Sequence, residues 1–178
     1  MKSHTVQRIF CALLCLLLCG CGAAKPPAPA GSTQGETEGE PLDLTAFSFY
    51  HTASLADACF RLEVKREGDE IRLYAEELFY NGRIVDTAVG EEVLERLEEL
   101  CGTYGMDRWD GFDKSKKRVS DGSTFTLSMT LADGTTVSAH GNNAYPDRYA
   151  EAAEEIKTLY AEVMERYANT ETEGEDTP

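Results

Sequence analysis

The sequence predicts an α+β two-layer sandwich, in which a largely antiparallel sheet of about five to six strands packs against two helices. Three observations predict it. Apolar and polar residues alternate through Phe60-Leu62-Val64 and again through Phe125-Leu127-Met129-Leu131, the period of a half-buried strand. Asn81-Gly82 and Asp133-Gly134 each sit between apolar runs, where such pairs mark tight turns and hence antiparallel neighbours. Glu91–Tyr104 and Pro146–Tyr167 carry apolar stripes at helical spacing, so each buries one side against a sheet.

The elements follow in chain order. Phe47-Ser48-Phe49-Tyr50 alternates and forms a short first strand. Cys59–Lys65 forms the second, and Glu67-Gly68 turns into the third, whose inner face begins with Ile71, Leu73 and Ala75. Leu78 and Tyr80 continue that face out of phase, which predicts a bulge near Glu76 and Glu77. Asn81-Gly82 predicts a type I′ hairpin into a strand over Arg83–Val89. Glu91–Tyr104 then sets Val93, Leu94, Leu97, Leu100, Cys101 and Tyr104 against a solvated row of glutamates that includes Glu95, Glu98 and Glu99. Met106–Asp121 reads as irregular, and Thr124–Leu131 with Thr135–His140 as a second hairpin. Pro146 suits the first position of the final helix, where its missing N–H is not needed.

The two ends of the 178-residue chain are unlike its middle. Lys2 and Arg8 make a basic start, followed by the apolar run Ile9–Leu18. A membrane span needs roughly twenty apolar residues, so this run has the length of a signal-peptide core. It closes on Leu18-Cys19-Gly20-Cys21. This ending resembles the lipobox of bacterial lipoproteins, with Cys19 at a position where Ala or Ser is more usual. The resemblance covers the first 21 residues. It implies cleavage before Cys21, a lipid on the Cys21 thiol and a protein held at a membrane outside the cytoplasm. Two acyl chains give stable anchoring where one is marginal.

The chain accordingly divides into a leader over 1–20, a lipidated Cys and tether over 21–41, one domain over 42–168 and an acidic tail over 169–178. The tether has too little apolar surface to offset its ordering entropy. The domain has an ordinary single-core size. Trp109-Asp110-Gly111, the Asp133-Gly134 hairpin and Gly141-Asn142-Asn143-Ala144-Tyr145-Pro146 resemble a domain of uncharacterised bacterial lipoproteins. That resemblance spans most of 45–168 and implies a fold with no activity attached.

The net charge is −15. Loss of Lys2 and Arg8 with the leader leaves 15 basic against 32 acidic residues, or −17. Such a surface repels nucleic acid and does not lie flat on an anionic bilayer. Of six cysteines, only Cys59 and Cys101 belong to the domain. Cys101 falls on the buried side of its helix and Cys59 opposite Phe60, Leu62 and Val64, so two unpaired thiols fit better than a Cys59–Cys101 disulfide, which an exported compartment would permit.

Chemistry is sparse. His51 and His140 are the domain's histidines, and their spacing links neither to a cysteine as a base would require. No zinc or calcium spacing occurs, and neither metal nor cofactor is expected. Lys114–Arg118 is a basic cluster, read as a solvated loop or, alternatively, a seat for an anionic polymer. Trp109, Asn142, Asn143 and Tyr145 bring aromatics beside amides, which suits a sugar or peptide. The simpler reading packs Trp109 under the loop and gives Asn142 or Asn143 to the turn. Together these features point to a non-enzymatic domain that binds an envelope protein, peptide or glycan. The alternative is a small envelope hydrolase using carboxylates or His140.

Overall fold

A computed structural model describes residues 40–53, 59–116 and 122–167; the leader, Cys21, most of the tether and the acidic tail lie outside the described residues. Its elements are β1 (Leu44–Thr52), β2 (Phe60–Glu67), β3 (Glu70–Glu77), β4 (Ile84–Val89), α1 (Glu91–Tyr104), a 3₁₀ turn (Met106–Trp109), β5 (Asp113–Ser115), β6 (Thr124–Leu131), β7 (Thr136–Asn142) and α2 (Tyr149–Tyr167). The strands form one sheet in the order β4-β3-β2-β1-β6-β7-β5. Every pairing is antiparallel except that of β5 with β7. The fold is therefore α+β with seven strands among the described residues, one more than the upper expectation.

Alternation decides which face is covered. Phe47, Phe49, Phe60, Leu62, Val64, Leu73, Phe125, Leu127 and Met129 are all buried, whereas their neighbours Tyr50, Lys65, Thr126 and Ser128 are exposed. The helices lie on the buried face, where the Tyr160 ring of α2 stacks on Phe60 of β2 with centroids 4.5 Å apart. The two helices run antiparallel, since Arg96 pairs with Glu162 and Glu92 with Arg166.

The extra strand is β5. Asp113-Lys114-Ser115 is exposed throughout and shows no alternation, so its side chains carry no strand signal. Backbone hydrogen bonds hold it instead. His140 N–H donates to Phe112 O at 2.7 Å, and Lys116 N–H donates to Asn142 O at 2.9 Å.

The expected bulge near Glu76 and Glu77 does not form. β3 pairs without a register break from Glu70 to Glu77, where it ends. Tyr80 is 97% exposed and belongs to a loop, not to an inner strand face. A register shift occurs instead in β1 between Leu44 and Ala46. Asn81-Gly82 likewise departs from a two-residue I′ turn, because only Asn81 has positive φ, at 60°. Gly82 N–H donates to Phe79 O within a longer connection, which Glu77 N–H closes by donating to Arg83 O. Gly134, with φ of 86°, does take the left-handed conformation in the second hairpin.

α1 keeps its expected bounds. It ends at Gly105, whose φ of 60° lets its N–H reach the carbonyls of Cys101 and Gly102. α2 begins at Tyr149, three residues after Pro146, because Arg148 has a left-handed φ of 59°. Glu98, expected on the solvated row, has a structural partner. Its carboxylate accepts the Leu44 N–H at 2.9 Å, and its carbonyl accepts the Leu42 N–H at 3.1 Å. No helix of the described residues is long and apolar enough to cross a membrane.

Candidate functional site: an aromatic cleft at the start of the last helix

The ends of β1 and β2, the segment after β7 and the first turns of α2 meet around a cleft of about 300 Å³. It is lined by His51, Phe60, Ser123, Tyr145, Tyr149, Ala150, Ala153, Glu154 and Lys157. His51 arrives there because β1 continues the inward alternation of Phe47 and Phe49, which leaves it buried at the strand end. Its ring lies parallel to that of Phe49, and its Nδ1 shares a 3.1 Å hydrogen bond with the Tyr149 hydroxyl.

Tyr149 is the hub of the aromatic cluster. Its ring centroid is 4.5 Å from Phe125, 4.7 Å from Tyr145 and 5.8 Å from Trp109. Tyr145 stacks on it at only 20° between planes and remains 42% exposed, so one aromatic surface is open at the mouth. The Tyr145 hydroxyl shares a hydrogen bond with Ser123 Oγ, which holds the ring upright.

The four residues proposed from sequence have different fates. Trp109 is 3% exposed and packs edge-on to Phe125; it belongs to the core, as the simpler reading held. Asn143 makes the turn, with φ of 52°, a conformation that Asn tolerates better than most residues. Its N–H donates to Ser123 O, and its Oδ1 accepts the Ser123 N–H at 3.0 Å. Asn142 accepts from the Asn143 amide at 2.8 Å. Both amides thus have partners within the fold, and Tyr145 alone of the four lines the cleft. Gly141 makes this packing possible, since a Cβ there would come within 2.3 Å of the Phe125 ring.

Sequence reasoning did not gather His51, Tyr149, Glu154 and Lys157 into one place. The available signal was the spacing of Tyr149, Ala153 and Lys157, which follows one helical stripe. Glu154 and Lys157 form an ion pair of 3.7 Å at the cleft.

The other candidates lie elsewhere. His140 is exposed on the uncovered face of β7, where its Nδ1 and Thr126 Oγ1 are 3.2 Å apart. The Cys59–Cys101 bridge is not formed; both cysteines are free and buried. They belong to different surroundings. Cys59 Sγ lies 3.1 Å from the Ala53 N–H and 3.2 Å from its carbonyl oxygen. Cys101 is inside α1, where burial pushes its thiol far above the ordinary range and keeps it unreactive. Lys114 sits over the Phe112 ring at 5.0 Å, while Lys117 and Arg118 lie outside the described residues. Among the described residues, no group of three or more His, Cys, Asp or Glu side chains could hold a metal ion. The chain matches no protein-family model, no curated protein and no solved structure, so the reading of this cleft rests on its own residues.

Proposed function

We propose that this chain is a lipid-anchored envelope protein, attached through Cys21, whose domain binds a small ligand in the aromatic cleft without transforming it. The observation that carries the binding reading is the Tyr145 ring, backed by the buried Tyr149 and open at the mouth of a 300 Å³ cavity. Cavities lined by aromatic faces with a few polar groups are the usual form of a small-molecule site. The polar groups here favour holding over catalysis. Ser123 Oγ bonds to the Tyr145 hydroxyl and His51 Nδ1 to that of Tyr149, so the serine and the imidazole among the described lining residues bond to tyrosines and not, as a nucleophile–base pair would, to each other. Anchoring is supported by Leu18-Cys19-Gly20-Cys21 behind its short apolar run.

Two experiments test the two halves. Cys21→Ala should abolish metabolic labelling of the protein by a fatty-acid analogue; retained label overturns attachment at Cys21. The mature domain used as bait on a native envelope extract should retain small molecules that Tyr145→Ala loses while its thermal transition persists. Equal retention by both proteins overturns the cleft as the binding site.

A further inference from the structure

The cleft has two chemically different ends. Tyr149, Ala150, Ala153, Glu154 and Lys157 line it from α2. At about 1.5 Å of rise per residue, Tyr149 and Lys157 are separated by about 12 Å along the helix axis. The aromatic rings of Tyr145 and Tyr149 mark one end, with His51 bonded to the Tyr149 hydroxyl, while Phe60 lies along the floor toward Tyr160, on which it stacks. The methyl side chains of Ala150 and Ala153 leave the middle open. At the other end an ammonium and a carboxylate stand side by side, Lys157 Nζ lying 3.7 Å from Glu154 Oε1.

Size and charge narrow the ligand. A volume of about 300 Å³ is at the low end for small-molecule sites, which suits one compact molecule and not a sugar chain. Among the described residues, Lys157 is the only lysine or arginine lining the cleft, in a chain of net charge −15. That field repels a free anion and leaves a molecule of zero net charge unaffected. An ammonium has three donors and a carboxylate about four acceptor sites, so the Glu154–Lys157 pair does not by itself exhaust either group.

We infer that the cleft binds a zwitterionic α-amino acid with a large apolar side chain. The side chain lies against Tyr145 and Tyr149, beside His51, with the ligand ammonium on Glu154 and the ligand carboxylate on Lys157. This rests on the cleft being the binding site proposed above and adds the class of ligand.

Trp109 is the only tryptophan of the chain, and its ring is 5.8 Å from Tyr149, so its fluorescence reports on the cleft. Fluorescence and calorimetric titrations of the mature chain with L-phenylalanine, N-acetyl-L-phenylalanine, L-phenylalanine amide and chitotriose test the inference. L-Phenylalanine should bind saturably, and each blocked form at least tenfold more weakly. Glu154→Gln should weaken the zwitterion at least fivefold and leave the affinity of N-acetyl-L-phenylalanine nearly unchanged; Lys157→Gln should do the same with the amide. If the free and blocked forms bind alike, or chitotriose binds more tightly, the zwitterion assignment is overturned and the cleft stands. If no probe binds, the amino-acid assignment is overturned, and the Tyr145→Ala capture judges the cleft separately.

Discussion

The hydroxyl of Tyr149, in the first turn of α2, shares a 3.1 Å hydrogen bond with Nδ1 of His51, the inward-facing residue near the end of β1. This bond ties helix to sheet at the wall of the cleft. Tyr149→Phe keeps the ring and its stacking and removes the bond, so it should lower unfolding stability by about 1 kcal/mol. Urea denaturation measures this; an unchanged midpoint shows that the bond contributes nothing. Tyr145→Ala should cost about 2 kcal/mol through the lost ring contacts, the half-buried ring area and the bond to Ser123, so the binding test is read beside the variant's thermal transition.

Asn143 offers a contrast between two substitutions. Asn143→Ala places an ordinary side chain at a φ of 52° and removes the acceptor for the Ser123 N–H. Left-handed strain and a lost hydrogen bond together should cost about 2 kcal/mol. Asn143→Gly removes the same acceptor and relieves the strain, so it should cost about half as much. Denaturation midpoints in the reverse order would show that the turn conformation is not what selects Asn here.

Glu98 joins α1 to the first residues of the domain. Glu98→Ala removes the carboxylate that accepts the Leu44 N–H and should destabilise by about 1.5 kcal/mol, in the range for hydrogen bonds to charged groups. Hydrogen exchange adds a local readout, because the Leu44 amide should lose protection while the amides of β6 keep theirs. Unchanged protection at Leu44 would contradict the contact.

The loop after β3 should make a small, acid-sensitive contribution. The hydrogen bond from the Arg83 guanidinium holds the Glu77 carboxyl below its usual range, reinforced by the Arg83 backbone N–H. A carboxyl lowered in the folded state stabilises above its unfolded value, about 4.3 for glutamate, and loses that contribution as pH falls through the folded value. Glu77→Gln should therefore lower the melting temperature at pH 7 and have little effect at pH 2. With Arg83 half exposed, the pH 7 effect should stay within about 1 kcal/mol. A deficit that persists at pH 2 would exclude the ion pair as its cause.

How far the sequence could be read follows from where each signal is stored. α1 was legible to the residue because its apolar stripe is bracketed by Gly90 and Gly105. β5 was not, since its three exposed residues are held through the backbone. Leu78 and Tyr80 imitated a strand with a slip, although Tyr80 faces solvent. Glu98 looked like its solvated neighbours because its partner, the Leu44 amide, lies 54 residues earlier. At the cleft, Tyr145 stands out beside the two asparagines, whereas Tyr149 reads as one more apolar position of the last helix. Between them the chain turns through the left-handed Arg148, a conformation that residue type does not announce. The inward position of His51 is legible, since it extends the alternation of Phe47 and Phe49.

The position of β1 in the middle of the sheet carries a consequence for assembly. Its neighbour β2 follows at once and makes a local meander with β3 and β4, but its other neighbour is β6, so that Thr45 bonds to Thr130 across 85 residues. Until the β6–β7 hairpin has been synthesised and docked, one margin of β1 stays uncovered, with Phe47 and Phe49 beside it. Distant pairings of this kind close slowly. A chain broken off after α1 would leave that edge of β1 unpaired, the kind of exposed strand margin on which other copies of the chain can pair.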